Sequence, residues 1–189
     1  MNDAPVTMKR DSLESIPQFA LPTDYSARWF HPGDDRIWQH IQSVSDKLND
    51  ITARLFHEQF GSDIDALRQR QCYLLDVSGT EIGTATAWFD DDYEGARYGR
   101  LHWVAIVPEM QGRGLAKPLL TILCNRLKAL GHRRAYLNTS SSRIAAIGLY
   151  LQFGFTPALS SAEETDVWRE ILAQVDKRNS LRTSSRLTK

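Results

Sequence analysis

Between Val104 and Lys117 the chain reads Val-Ala-Ile-Val-Pro-Glu-Met-Gln-Gly-Arg-Gly-Leu-Ala-Lys. An apolar, β-prone run stops at Pro108, Gly112 and Gly114 follow, and a leucine-rich helical pattern begins at once. Glycines let the backbone adopt conformations that a Cβ forbids and let a ligand approach closely. The first amides of the helix point outward without intrahelical partners, at the positive end of the helix dipole, and suit a phosphate. Arg113 and Lys117 add positive charge beside them. A plain, tight strand-to-helix turn uses glycine in the same way, and short glycine patterns are weakly specific. The stretch is neither a G-x-x-x-x-G-K-[ST] loop nor a G-x-G-x-x-G fingerprint.

Other side chains suit proton transfer. His102 precedes Val104 by two residues, so both side chains are expected to leave the same face of the strand. An imidazole titrating near neutrality makes a general base, and a hydrogen-bonded core histidine, or one stacked near Trp103, is the competing reading. The acidic run over residues 90–94 reads as a solvated loop; at the rim of a cleft it would attract a cationic amine. Trp88 and Trp103 are candidates for the wall of such a cleft, although burial is the commoner fate of tryptophan. Trp38, His40 and His57 show no pattern.

Gln111-Gly112-Arg113-Gly114-Leu115-Ala116 fits Q/R-x-x-G-x-G/A, and residues 146–155, Ala-Ile-Gly-Leu-Tyr-Leu-Gln-Phe-Gly-Phe, fit A-I-x-L-Y-x-x-x-G-F. On these two segments, in this order and separation, the sequence resembles the GNAT superfamily of N-acetyltransferases over residues 24–158. The resemblance implies acetyl-CoA as acyl donor. Val104, Ala105 and Ile106 would meet its pantetheine arm through the backbone. Gln111 and the run Gly112, Arg113, Gly114, Leu115, Ala116 and Lys117 would form the pyrophosphate cradle, with Asn138 as a polar contact. Tyr150 stands where the family commonly has the acid that protonates the CoA thiolate. It also belongs to a helical stripe with Ala146, Leu149 and Phe153, so a core aromatic is the alternative. The arylalkylamine N-acetyltransferase branch has a histidine at the offset of His102. Arg143 replaces the asparagine that many relatives carry seven positions before the tyrosine. Asn138 stands where relatives that acetylate protein N-termini often have Glu.

Acyl transfer to an amine needs a neutral nucleophile, stabilisation of the oxyanion and a proton for the thiolate. At pH 7 an alkylamine of pKa ~10.4 is neutral in roughly one molecule in 10³, a deficit of ~4–5 kcal/mol that a base or an apolar site reduces. The N–H of Ile106 is the candidate oxyanion donor. The function expected is N-acetylation of a small-molecule primary amine by direct attack in a ternary complex. Acetylation of a protein lysine or N-terminus, or a non-catalytic acyl-CoA-binding module, are the alternatives.

The elements that must position these groups follow from periodicity. Residues 1–23, with Pro5, Pro17 and Pro22, read as an arm. A first strand at 25–30 precedes a helix carrying Ile37, Ile41, Val44 and Leu48, capped by Asp34 or Asp35, and a second ending at Gly61. Strands at 72–77 and 82–89, a long strand at 98–107 and a helix stopped by Gly131 come next. A strand at 135–139, a helix at 143–153, a strand starting at 155 and a helix at 161–177 anchored by Trp168 and Ile171 complete the series, and the remaining residues read as frayed. Hairpins followed by a crossover imply one α/β domain; the resemblance places it at 24–158, followed by a C-terminal helix and basic tail at 159–189. With the resemblance, the expected fold is a GNAT-like mixed, mostly antiparallel sheet of six to seven strands with helices on both faces.

The 189 residues are 42% hydrophobic and 24% charged, an ordinary globular mixture. Five of the 23 basic residues and none of the 23 acids fall within 177–189, which leaves residues 1–176 at a net charge of −5. Neither that balance nor a tail without interleaved aromatics predicts a nucleic-acid partner. Cys72 and Cys124 have no zinc-ligand spacing, and no metal is expected. No apolar run reaches membrane-spanning length and the first residues lack a signal-peptide core, so a cytoplasmic protein off the membrane is expected. Self-association as a homodimer is common in the family resembled.

Overall fold

The computed structural model describes residues 3–187, with side chains through residue 181. In chain order its elements are β1 (Pro5–Arg10), β2 (Ser26–Trp29), α1 (Asp35–Ser45), α2 (Leu55–Phe60), α3 (Ile64–Arg70), β3 (Gln71–Leu75), β4 (Glu81–Tyr93) and β5 (Ala96–Ile106). A 3-10 turn (Pro108–Met110), α4 (Ala116–Ala129), β6 (Ala135–Ser140), α5 (Ile144–Gln152), β7 (Thr156–Pro157) and α6 (Ala162–Leu187) follow. Seven mostly antiparallel strands with interleaved helices make the mixed α/β class expected from the sequence. The chain divides into two compact units, one of residues 12–135 and one joining the segment up to Asp11 with that from Tyr136 onward.

In the first unit the strands run β2-β3-β4-β5, each antiparallel to the next. The β3–β4 turn forms around the Asp76 carboxylate, which accepts from the N–H groups of Ser78 (2.9 Å) and Thr80 (3.0 Å). The acidic run is not a loop. Residues 90–93 continue β4, and Glu94 (φ 51°) and Gly95 (φ 72°) make the two-residue left-handed turn that matches strand twist. Asp91 pairs there with Arg97 at 2.9 Å.

Phe30, Trp38, Ile41, Phe56, Phe60, Leu67 and Tyr73 form one buried cluster, which gathers α1, α2 and α3 against the strands. Asp34 stands at the N-cap of α1, but its carboxylate makes no cap bond. It takes Arg28 at 2.6 Å and the His31 N–H at 2.6 Å, while Arg28 also holds Glu81 at 2.7 Å. Helix α4 buries Leu119, Leu120, Leu123 and Leu127. It packs so close to β5 that a Cβ on Gly99 would lie 2.8 Å from Leu127 Cδ2. Gly131 ends it at φ 85°, with the His132 N–H donating to the Leu127 carbonyl at 3.1 Å.

The second unit has strand order β6-β1-β7. Residues 5–10, which read from sequence as part of an arm, are a strand paired with β7 in the register Met8↔Pro157. Val6 and Met8 are buried, and the polar, proline-marked composition around them hides that alternation. The buried Arg10 guanidinium donates to the Phe153 carbonyl at the C-terminal end of α5, a favourable place for a cation. Trp168 and Ile171 anchor α6 with Val175, and a Cβ on Gly148 would come within 3.3 Å of Val175 Cγ1, so α5 and α6 approach closely there. The α6 backbone stays helical to Leu187, past the point where fraying was expected; Thr188 and Lys189 lie outside the described residues.

Candidate active site

The β4–β5 ladder shifts register twice, once near its hairpin turn between Asp90 and Tyr93 and once between Thr84 and Thr86. Thr84 pairs with Ala105, yet Thr86 pairs with His102, so Trp103 and Val104 together oppose one residue of β4. This is a β-bulge, and Trp103 takes φ 49° within it. The extra residue breaks the alternation that would put His102 and Val104 on one face. His102 and Trp103 instead turn the same way, and both reach the side-chain oxygen of Gln59 on α2. Ala105 and Val107 pack with Trp103 against the aromatic cluster. Three contacts hold the bulge: the Trp103 indole N–H donates to Gln59 Oε1 at 3.0 Å, the Trp103 carbonyl accepts from Gln42 Nε2 at 2.9 Å, and its ring meets Trp38 edge-on at 5.1 Å.

Beyond the bulge the ladder decides which amides are available. The Val107 N–H donates to the Ile82 carbonyl at 2.9 Å. By antiparallel parity the Ala105 main chain is therefore taken up by Thr84, while Val104 and Ile106 present theirs on the edge away from β4. The main chain of Ala105, one of the three residues expected to offer backbone contacts, is thus engaged within the ladder. Gln111, also expected at the cosubstrate, has its polar groups engaged within the loop. Its side chain donates to the Ile106 carbonyl at 2.9 Å and its N–H to Pro108 at 3.2 Å, so it shapes the loop from within. Ser45 Oγ donates to the same Ile106 carbonyl at 3.2 Å.

Gly112 (φ 78°) and Gly114 (φ 82°) both lie in the left-handed region, and a Cβ at either would meet nothing within 4 Å. Glycine is needed for the backbone turn and not for space. Leu115 caps α4 without a side-chain bond, and among the described residues no acceptor faces the N–H groups from Gly112 to Lys117. Pro118 has no N–H to orphan. Lys117 lies over the Phe19 ring at 4.9 Å, which orients its ammonium beside the helix start. A diphosphate fits this donor set.

His102 is 7% exposed. Its ring meets Phe60 edge-on at 5.5 Å, and Phe60 meets Trp88 likewise at 5.5 Å. Burial, aided by the positive charge of Arg100, pushes its pKa well below the ordinary histidine value, so the imidazole is neutral at pH 7. His40 and His57 are exposed on α1 and α2. In the second unit, Asn138 Oδ1 accepts from Thr7 Oγ1 at 2.9 Å, a bond a ligand would have to share. Arg143 caps α5, and Tyr150 is 9% exposed with its ring edge-on to Phe155 at 6.2 Å. Tyr150 packs with the stripe and is polar-tipped, so both of its readings stand. Among the described residues no three His, Cys, Asp or Glu side chains group to hold a metal ion, and no helix is long and apolar enough to cross a membrane.

Gln59, Gln42 and Ser45 escaped the sequence reading. Each is one polar residue in an amphipathic helix, and what distinguishes it is contact with a bulge far downstream in the chain, which no local pattern encodes.

An uncapped helix start behind two left-handed glycines, with Arg113 and Lys117 beside it, is a donor set that suits a phosphate. The sequence model of the Acetyltransferase (GNAT) family matches residues 33–155, and the chain belongs to that family. A mycothiol acetyltransferase of Arthrobacter sp. (strain FB24) is 28% identical over 152 residues, which is 75% of this chain and 45% of the relative. The chain thus spans about half the length of the curated relatives it matches. Among solved structures, a GCN5-related N-acetyltransferase from Sphaerobacter thermophilus superposes with TM-score 0.68 at 22% identity, over 82% of this chain and 48% of that one. The ribosomal-protein-S18-alanine N-acetyltransferase of Escherichia coli gives 0.59 at 22%, over 71% and 79%. These two likenesses speak to the fold.

Proposed function

We propose that the chain transfers acetyl from acetyl-CoA to the primary amine of a small molecule, by direct attack with both substrates bound. The observation that carries this reading is the Gly112–Gly114 turn opening onto uncapped amides. Bound acetyl-CoA supplies an activated acyl group as a thioester. The N–H groups from Gly112 to Lys117, with Arg113 and Lys117, hold its diphosphate. Val104 and Ile106 hydrogen-bond the pantetheine from the outer edge of β5, and the Ile106 N–H stabilises charge that gathers on the acyl oxygen. His102, neutral at pH 7, takes the proton of the acceptor ammonium. Tyr150 gives a proton to the departing sulfur, and Asn138 contacts the cosubstrate. The small-molecule acceptor is supported by the relatives called mycothiol acetyltransferases. The buried thiols of Cys72 and Cys124 suit a reducing compartment, and we place the protein in the cytoplasm.

The test is calorimetry with CoA together with thiol release from acetyl-CoA in the presence of spermidine, glucosamine, tryptamine and a peptide with a free N-terminus. Micromolar CoA binding and turnover on a small amine are expected. Turnover on the peptide alone replaces the small-molecule acceptor with a protein one. Binding without turnover on any acceptor leaves an acyl-CoA-binding module.

A further inference from the structure

The bulge fixes more than the direction of two side chains. An indole N–H can only donate, so the amide group of Gln59 that lies 3.0 Å from Trp103 Nε1 must be its oxygen. His102 Nε2 lies 3.1 Å from that same oxygen. A bare ring nitrogen there would set lone pair against lone pair, so Nε2 carries the hydrogen and Nδ1 the lone pair. The orientation of the amide and the tautomer of the imidazole are thus both dictated by the one partner that has no choice.

We propose that Gln59 is a positioning residue: its side-chain oxygen clamps Trp103 and His102 together, locks His102 as the Nε2–H tautomer, and makes Nδ1 the nitrogen that accepts the proton. This rests on His102 being the base, as proposed above. In the step, one N–H bond of the acceptor ammonium breaks and its electron pair stays on the amine as the nucleophile's lone pair. The proton forms the Nδ1–H bond, and the imidazolium keeps its Nε2–H on Gln59 until solvent takes the new proton. The clamp also explains why Trp103 tolerates a positive φ. Backbone conformations of that kind persist where several contacts over-determine them, here Gln59, Gln42 and Trp38.

The surroundings leave the tautomer to Gln59. Gln59 and Phe60 face His102 from α2, Thr86 stands opposite on β4, and Trp103 follows on β5, all uncharged. Arg100, two residues earlier on β5, is the charged group that acts on the ring.

The tautomer is read from the ring nitrogen shifts of His102 in the full-length protein labelled with ¹⁵N-histidine, and catalysis from the pH profile of thiol release with the amine found above. The wild type should show a protonated Nε2 and a bare Nδ1. Gln59→Leu should mix the tautomers and lower kcat by about tenfold or more, with KM for acetyl-CoA within about twofold. Gln59→Glu keeps an acceptor for both N–H groups but adds negative charge, so it should retain the tautomer and move the acidic limb of kcat/KM to higher pH. With a merely structural glutamine, Gln59→Leu would leave the tautomer unchanged. An Nδ1–H tautomer in the wild type, or an unchanged tautomer in Gln59→Leu, overturns the proposal. If Gln59→Leu does not fold, by near-ultraviolet circular dichroism, Gln59→Glu decides, and an unmoved limb overturns it. If His102→Gln keeps the wild-type acidic limb, the base assignment fails, and the catalytic role of Gln59 falls with it even where the tautomer is locked.

Discussion

Gly114 and Tyr150 are residues whose chemistry separates binding from turnover. A side chain at Gly114 would meet open space, so Gly114→Ala is opposed only by the backbone, at roughly 1–2 kcal/mol for an L-residue held left-handed. The loop relieves that strain by leaving the conformation that aims its amides. CoA affinity should therefore fall about tenfold in calorimetry while the melting temperature barely moves, and equal affinity would remove the cradle from the mechanism. Tyr150→Phe keeps the ring that packs on Phe155 and removes only the hydroxyl. If the hydroxyl protonates the thiolate, CoA affinity stays and kcat drops by about 10²- to 10⁴-fold. Unchanged kcat would make Tyr150 a member of the aromatic stripe and no more.

Elements were legible in the sequence where one face is buried and the pattern is long. Helix α4 is marked by its leucines and by Gly131, and the β3–β4 hairpin by flanking apolar runs. The turn with two glycines between a strand and a helix was legible for the same local reason. Strand β1 was not, because its alternation is only six residues long and lies among prolines and charges. Nor was the bulge at Trp103, which is a relation between two strands and two helices. That one residue is what separates the expected His102–Val104 face from the observed His102–Trp103 pair. β1 offers a direct check at this scale. Met8 is fully buried, so Met8→Ala should cost about 2–5 kcal/mol in denaturant unfolding, whereas a dispensable arm would lose almost nothing.

At the scale of the whole molecule, the buried histidines predict a loss of stability in acid. His132 is pushed down to about 4, first by burial and then by Arg70 and Arg97, against a small opposing effect of Asp91. Arg70 Nη1 lies 3.4 Å from His132 Nε2, so the ring must stay neutral to accept it. His102 is depressed in the same direction. A depressed pKa means that below about 6.5 the unfolded chain binds protons that the folded chain refuses, so stability rises with pH through that range. The contribution of His132 is complete above about 6.5 and is lost as pH falls toward about 4. Urea midpoints measured at pH 7.5, 6 and 5 should fall steeply in the wild type. His132→Gln accepts from Arg70 without titrating, so its midpoints should fall less, and a slope equal to the wild type would show that the acid loss originates in carboxylates instead.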